Sequence, residues 1–67
     1  MVLGTIKHWD SSKGFGFIMT DDEQDCFFHA SDLDITLKPQ KIREGMRVKF
    51  DIQSDFKGDK AIHVRKA

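Results

Sequence analysis

Apolar and polar positions alternate most cleanly between residues 46 and 53, where Met46, Val48, Phe50 and Ile52 are separated by Arg47, Lys49, Asp51 and Gln53. A period of two is that of a half-buried strand. Earlier in the chain, Val2 to Trp9 reads as a first strand with Val2, Gly4 and Ile6 on one face. Strict alternation sends Lys7 and Trp9 outward and His8 inward, an order that a β-bulge would change. Asp10-Ser11-Ser12 is a turn built from side chains that bond their own backbone. A second strand runs from Lys13 to about Thr20, a hairpin follows at Asp21-Asp22-Glu23-Gln24, and a third strand spans Asp25 to His29. Ala30 to Leu33 starts a single helical turn with Ser31 as its cap. Asp34 to Glu44 has no clean period and contains Pro39, which opposes a long helix, so it reads as a connection. Glu44-Gly45 turns into the fourth strand. Ser54 to Asp59 is a loop with Gly58 as its φ > 0 position. The last strand, Lys60 to Arg65, puts Ile62 and Val64 inside and Ala61 and His63 outside.

Five short strands with turn signals every 8–12 residues or so predict an all-β fold, a small five-stranded antiparallel barrel. Closure also removes the free edges that so short a chain tolerates badly. The predicted filling is Ile6, Ile18, Cys26, Phe28, Val48, Phe50, Ile52, Ile62 and Val64.

The second strand does not fit a simple inside-outside pattern. In Lys13-Gly14-Phe15-Gly16-Phe17-Ile18, alternation gives Phe15 and Phe17 one face and Gly16 and Ile18 the other. Ile18 is the natural core residue, which turns both Phe outward. The third strand repeats the arrangement: Cys26 and Phe28 suit the core, leaving Phe27 and His29 on the face that holds Phe15 and Phe17 if the two strands pair as a hairpin. Four rings on one sheet face need a reason, and a stacking platform for unpaired nucleobases supplies one, with Lys13 beside it to meet phosphate. The plain alternative, that these rings are core, holds for either strand alone better than for both together.

Composition narrows the possibilities. The 67 residues make one small domain spanning 1–67, of a size that buries about 60% of the unfolded chain's surface. A single cysteine, Cys26, excludes an internal disulfide and argues against a zinc site; a reducing, cytoplasmic setting is expected. No apolar run approaches the ~20 residues of a membrane span, and no signal peptide is evident at the N-terminus. Net charge is zero but unevenly spread: residues 21–34 hold six acids and no Lys or Arg, whereas residues 35–67 hold nine bases against four acids. Segregated charge gives a neutral chain a local positive field, and binding by stacking needs little of it. The acidic run around Asp22 shows no spacing that converges on a cation, so no metal is expected. No nucleophile–base pair with an orienting third group is present, and Gly14-x-Gly16 precedes no helix, so neither an enzyme nor a dinucleotide site is predicted. No small-molecule cofactor is expected.

Lys13-Gly14-Phe15-Gly16-Phe17-Ile18 and Phe27-Phe28-His29 resemble the two ribonucleoprotein-type motifs of the cold-shock domain, a five-stranded OB-fold barrel. The likeness extends to Gly4, Ile6-Lys7, Glu44-Gly45, Val48, Phe50, Lys57-Gly58 and Val64. It implies binding of single-stranded RNA or DNA by base stacking, usually with little sequence preference, as in proteins that are often RNA chaperones; a monomer is expected. Carried over to this chain, it nominates Lys7, Phe15, Phe17, Phe27 and His29 as the platform, with Lys13 flanking it and Lys57 near the backbone. Typical members have Trp then Phe after the first-strand Lys, where this chain has His8 and Trp9, both also candidates for ligand contact. They carry an aromatic where Ala30 stands and another in the connection, where Asp34 to Lys41 offers none; Phe56 is a candidate replacement. At ~1–3 kcal/mol per stacked base, two absent rings weaken binding by about 2–6 kcal/mol or shorten the footprint to roughly three or four nucleotides. A second function class consistent with zero net charge is a protein-interaction module whose aromatic face meets a partner protein.

Overall fold

The structure is a computed structural model that describes residues 2–56 and 58–67, without the side chain of Asp55. Its strands are β1 (Val2–Asp10), β2 (Phe15–Thr20), β3 (Asp25–His29), β4 (Arg47–Asp55) and β5 (Gly58–Lys66), with 3-10 turns at Ala30–Asp32 and Pro39–Lys41. They close a barrel in the order β1-β2-β3-β5-β4, the OB-fold arrangement. All junctions are antiparallel except β3 with β5, which run parallel where Phe27 meets Lys60. Lys13 and Gly14 belong to the turn before β2, and β4 and β5 extend further into their hairpin than the loop predicted over Ser54 to Asp59. Gly58 does have positive φ, +121°.

Inside, Ile6, Ile18, Cys26, Phe28, Val48, Phe50 and Val64 are fully buried, as their alternation requires. At about 25 cal/mol per Å² of apolar surface taken out of water, this cluster is the main stabilising contribution. Burial also pushes the Cys26 thiol up from its ordinary pKa, with the carboxylates of Asp59, Asp25 and Asp22 adding to the effect.

Two strand irregularities alter the predicted alternation. In β1 the pairs Ile6–Ile18 and His8–Phe17 enclose one extra residue, Lys7. The bulge reverses every later side chain, so His8 faces out beside Phe17 and Trp9 turns in, opposite the expected order. In β5, three steps from Arg65 to Ile62 oppose two from Lys49 to Asp51, and His63 takes the positive φ of 53° that absorbs the surplus. Ala61 is consequently buried where exposure was expected, and Ile62 is only half-buried. Ile52, predicted to be core, is 38% exposed. It shares Ala61's face, and among the described residues the β1–β4 pairing ends at Val2 with Phe50, two residues short of Ile52.

The connection contributes more than its sequence suggested. Leu37 and Ile42 are buried in the core, and Leu33 packs against it through a bridge to Val64. Pro39 occupies the first turn of its 3-10 segment, where a missing N–H is harmless. The amide of Asp34 donates to the Val64 carbonyl at 2.8 Å, and the amide of Gly45 to that of Ile6 at 2.7 Å, tying both ends of the connection to the barrel.

Candidate nucleic-acid interface

The outward face of β1, β2 and β3 is organised in two cross-strand rows. One runs His8–Phe17–Phe27; the next runs Asp10–Phe15–His29. Within β2 and β3 the alternation is uninterrupted, so Gly16, Ile18, Cys26 and Phe28 point in and the rings point out. Phe17 is 41% exposed and Phe27 39%, while Phe15 is half-buried. Phe27 is the hub: its centroid lies 5.9 Å from Phe15, with 36° between planes, and 5.9 Å from Phe17, with 68° between planes. The rings thus form one contiguous apolar patch whose planes differ in direction.

His29 ends β3 and caps the 3-10 turn, a role expected of Ser31. Its backbone N–H donates to Asp32 Oδ2 at 2.9 Å, and its Nδ1 accepts the Ser31 N–H at 3.1 Å, a reciprocal capping box. Because a backbone amide can only donate, Nδ1 carries the lone pair and the neutral ring carries its proton on Nε2. That N–H is a donor suited to a base carbonyl.

The β1–β2 turn fixes the rim. Asp10 Oδ1 accepts from Ser12 Oγ at 2.7 Å, Ser12 N at 3.1 Å and Lys13 N at 3.2 Å. The Ser12 hydroxyl bond, then the Lys13 amide, hold the Asp10 carboxyl below the usual carboxylate range. Gly14, at φ +72°, sends the chain into β2, and its carbonyl accepts the Ala30 amide at 2.7 Å. Lys13 is left exposed at this rim, and Lys7 is exposed at the bulge.

The remaining nominated residues fall elsewhere. Trp9 is half-buried with its ring on Phe28 rather than aligned with Phe15 and Phe17. His8 stands on the outer face with Nδ1 3.6 Å from Glu44 Oε2. Phe56 is 100% exposed at the β4–β5 turn. Lys57 lies outside the described residues. Two residues with no signal in a period-two reading also adjoin the face: Asp32, through the His29 cap, and Lys60, through the parallel pairing with Phe27. Among the described residues, no three His, Cys, Asp or Glu side chains are grouped to hold a metal ion, and no helix is long and apolar enough to cross a membrane.

A closed OB-type barrel with exposed aromatic side chains on two adjacent strands is the class that this fold and face define. Residues 2–67 match the family described as the 'Cold-shock' DNA-binding domain. The chain is 38% identical over 66 residues to a major cold shock protein of Streptococcus pyogenes serotype M6, covering 98% of this chain and 97% of that protein. It is 40% identical over 62 residues to a cold shock-like protein of Thermotoga maritima, covering 92% of each. With cold shock protein CspC of Bacillus subtilis it shares 36% identity over 67 residues, the whole of both chains. The protein belongs to the cold-shock domain family, whose members bind nucleic acid and are not enzymes.

Proposed function

We propose that this protein binds single-stranded RNA or DNA by stacking unpaired bases on Phe15, Phe17, Phe27 and His29, and that it acts in the cytoplasm as a monomeric RNA chaperone. The observation that carries the reading is the patch of three Phe rings about Phe27 on adjacent strands, with Phe17 and Phe27 exposed and Phe15 half-buried beside them. Ring planes 36° and 68° apart ask each base to turn to its own partner. A single strand rotates freely enough to do so, whereas paired and stacked bases do not. Each base stacked contributes ~1–3 kcal/mol without reading its identity. His29 adds a donor at Nε2, while Lys7, Lys13 and Lys57 meet the backbone. His8, Trp9 and Phe56 are subsidiary contacts.

A protein of zero net charge that neutralises two to four phosphates has a shallow log–log salt slope, about −1.4 to −2.8. Weak, rapidly reversible binding to open segments shifts RNA hairpins toward the open state by mass action, which is what a chaperone without an energy source requires. The test is a fluorescence-anisotropy titration with end-labelled heptathymidine or heptauridine and with a duplex of the same length. The expected result is single-strand binding at least tenfold tighter than duplex binding, reduced about five- to 150-fold by Phe17→Ala or Phe27→Ala. Equal affinity for duplex, or binding indifferent to both substitutions, rejects the reading. Capture of a protein partner through Phe15 and Phe17 instead would favour an interaction module.

A further inference from the structure

The outward row across the sheet continues past Phe27. Because β3 and β5 pair in parallel at Phe27 and Lys60, the two residues sit side by side on neighbouring strands, about 4.8 Å apart, and the row reads His8, Phe17, Phe27, Lys60. The Lys60 ammonium lies 3.3 Å from Asp32 Oδ1, the lysine side chain 33% exposed and the carboxylate 10%. The other oxygen of Asp32 accepts the backbone N–H of His29 at 2.9 Å. One carboxylate therefore sets both the end of β3 and the direction of Lys60.

We propose that Lys60 is a phosphate-contacting residue of the nucleic-acid interface, held by Asp32 in the free protein and shared with or released to the backbone of a bound strand. This rests on the stacking reading, because a strand lying across Phe17 and Phe27 is what brings a phosphate to the β5 side of the face. Lys7 and Lys13 lie on β1 and the turn after it, so without Lys60 only that flank of the ring row has a cation among the nominated residues within the described chain. An ammonium has three N–H donors, and one carboxylate contact leaves others to turn to a phosphate oxygen. The ammonium is one-third exposed but the Asp32 side chain only 10%, and a carboxylate that deep is costly to leave unpaired, so sharing the ammonium with a phosphate costs less than releasing it. Asp32 thereby tempers affinity: it stands where a phosphate oxygen would, and it lowers the positive potential at that end of the row.

The experiment measures heptathymidine affinity by anisotropy across one decade of salt for wild type, Lys60→Gln, Lys60→Arg, Asp32→Asn and Phe17→Ala, with thermal unfolding of each to establish folding. The Asp32→Asn side chain keeps a carbonyl oxygen for the His29 amide, so that variant removes charge while retaining the cap. Lys60→Gln should flatten the salt slope by about 0.7, so that wild type loses about fivefold more affinity over the decade. Lys60→Arg should restore the slope. Asp32→Asn should tighten binding at low salt, and the gain should vanish when Lys60→Gln is added. An unchanged slope in a folded Lys60→Gln variant, or no tightening in Asp32→Asn, overturns the proposal while loss of binding in Phe17→Ala leaves the stacking reading standing. Binding intact in Phe17→Ala with the slope still responsive to Lys60 rejects stacking alone. No binding by wild type rejects both.

Discussion

The indole of Trp9 lies flat on the ring of Phe28, with 5.3 Å between centroids and 12° between planes, in the inward row Trp9–Gly16–Phe28. Gly16 is what permits it. A Cβ at this position would collide with the carbonyl oxygen of His8 and lie 3.1 Å from atoms of both rings. The bare backbone beneath the indole thus joins the core to the underside of the strand that displays Phe15 and Phe17.

Gly16→Ala should therefore destabilise the barrel by about 1–3 kcal/mol, the usual cost of overpacking. Urea denaturation followed by Trp9 fluorescence measures it, with a lower midpoint and an altered native spectrum expected. An unchanged midpoint would mean that the strands separate at no cost.

The connection is expected to be structural rather than spare. Ile42 is buried and Ile35 is exposed. Ile42→Ala should cost about 2–5 kcal/mol, comparable with the whole stability of roughly a few kcal/mol for so small a domain, whereas Ile35→Ala should change it by less than about 0.5 kcal/mol. Calorimetry or chemical denaturation of the two variants distinguishes them.

Arg47 grips Asp21 with two N–H bonds, 2.7 and 3.1 Å, and donates to Thr5 Oγ1 at 3.0 Å. The guanidinium bonds hold the Asp21 carboxyl below the usual carboxylate range. A depressed folded value contributes stability that is complete above the unfolded Asp pKa, about 3.9, and is lost as pH falls through the lower folded value. In Arg47→Gln the Asp21 titration, followed by its carboxyl carbon shift, should move up. The stability difference from wild type due to this pair should be present near neutrality and shrink in acid once Asp21 is protonated in both.

Much of the fold and its face was legible because β2 and β3 alternate without interruption: once Ile18 and Cys26 are assigned inward, Phe15, Phe17, Phe27 and His29 have nowhere to go but out. Trp9 was misplaced because one extra residue at Lys7 reverses the side-chain order, and Ala61 because the extra residue near His63 does the same. Periodicity records neither. Leu37 and Ile42 are core residues in a segment with no period, packed into the cluster without belonging to a strand. Lys60 reaches the face across a parallel junction between strands far apart in sequence, which no local pattern encodes.

The most direct measurement of the central claim is an aromatic proton–carbon NMR titration of the Phe- and His-labelled protein with heptathymidine. Ring signals of Phe15, Phe17, Phe27 and His29 should shift progressively with the strand while those of buried Phe50 stay in place. Binding that moves signals around Leu3, Lys49 and Arg65 and leaves the Phe17 and Phe27 rings unperturbed would contradict it.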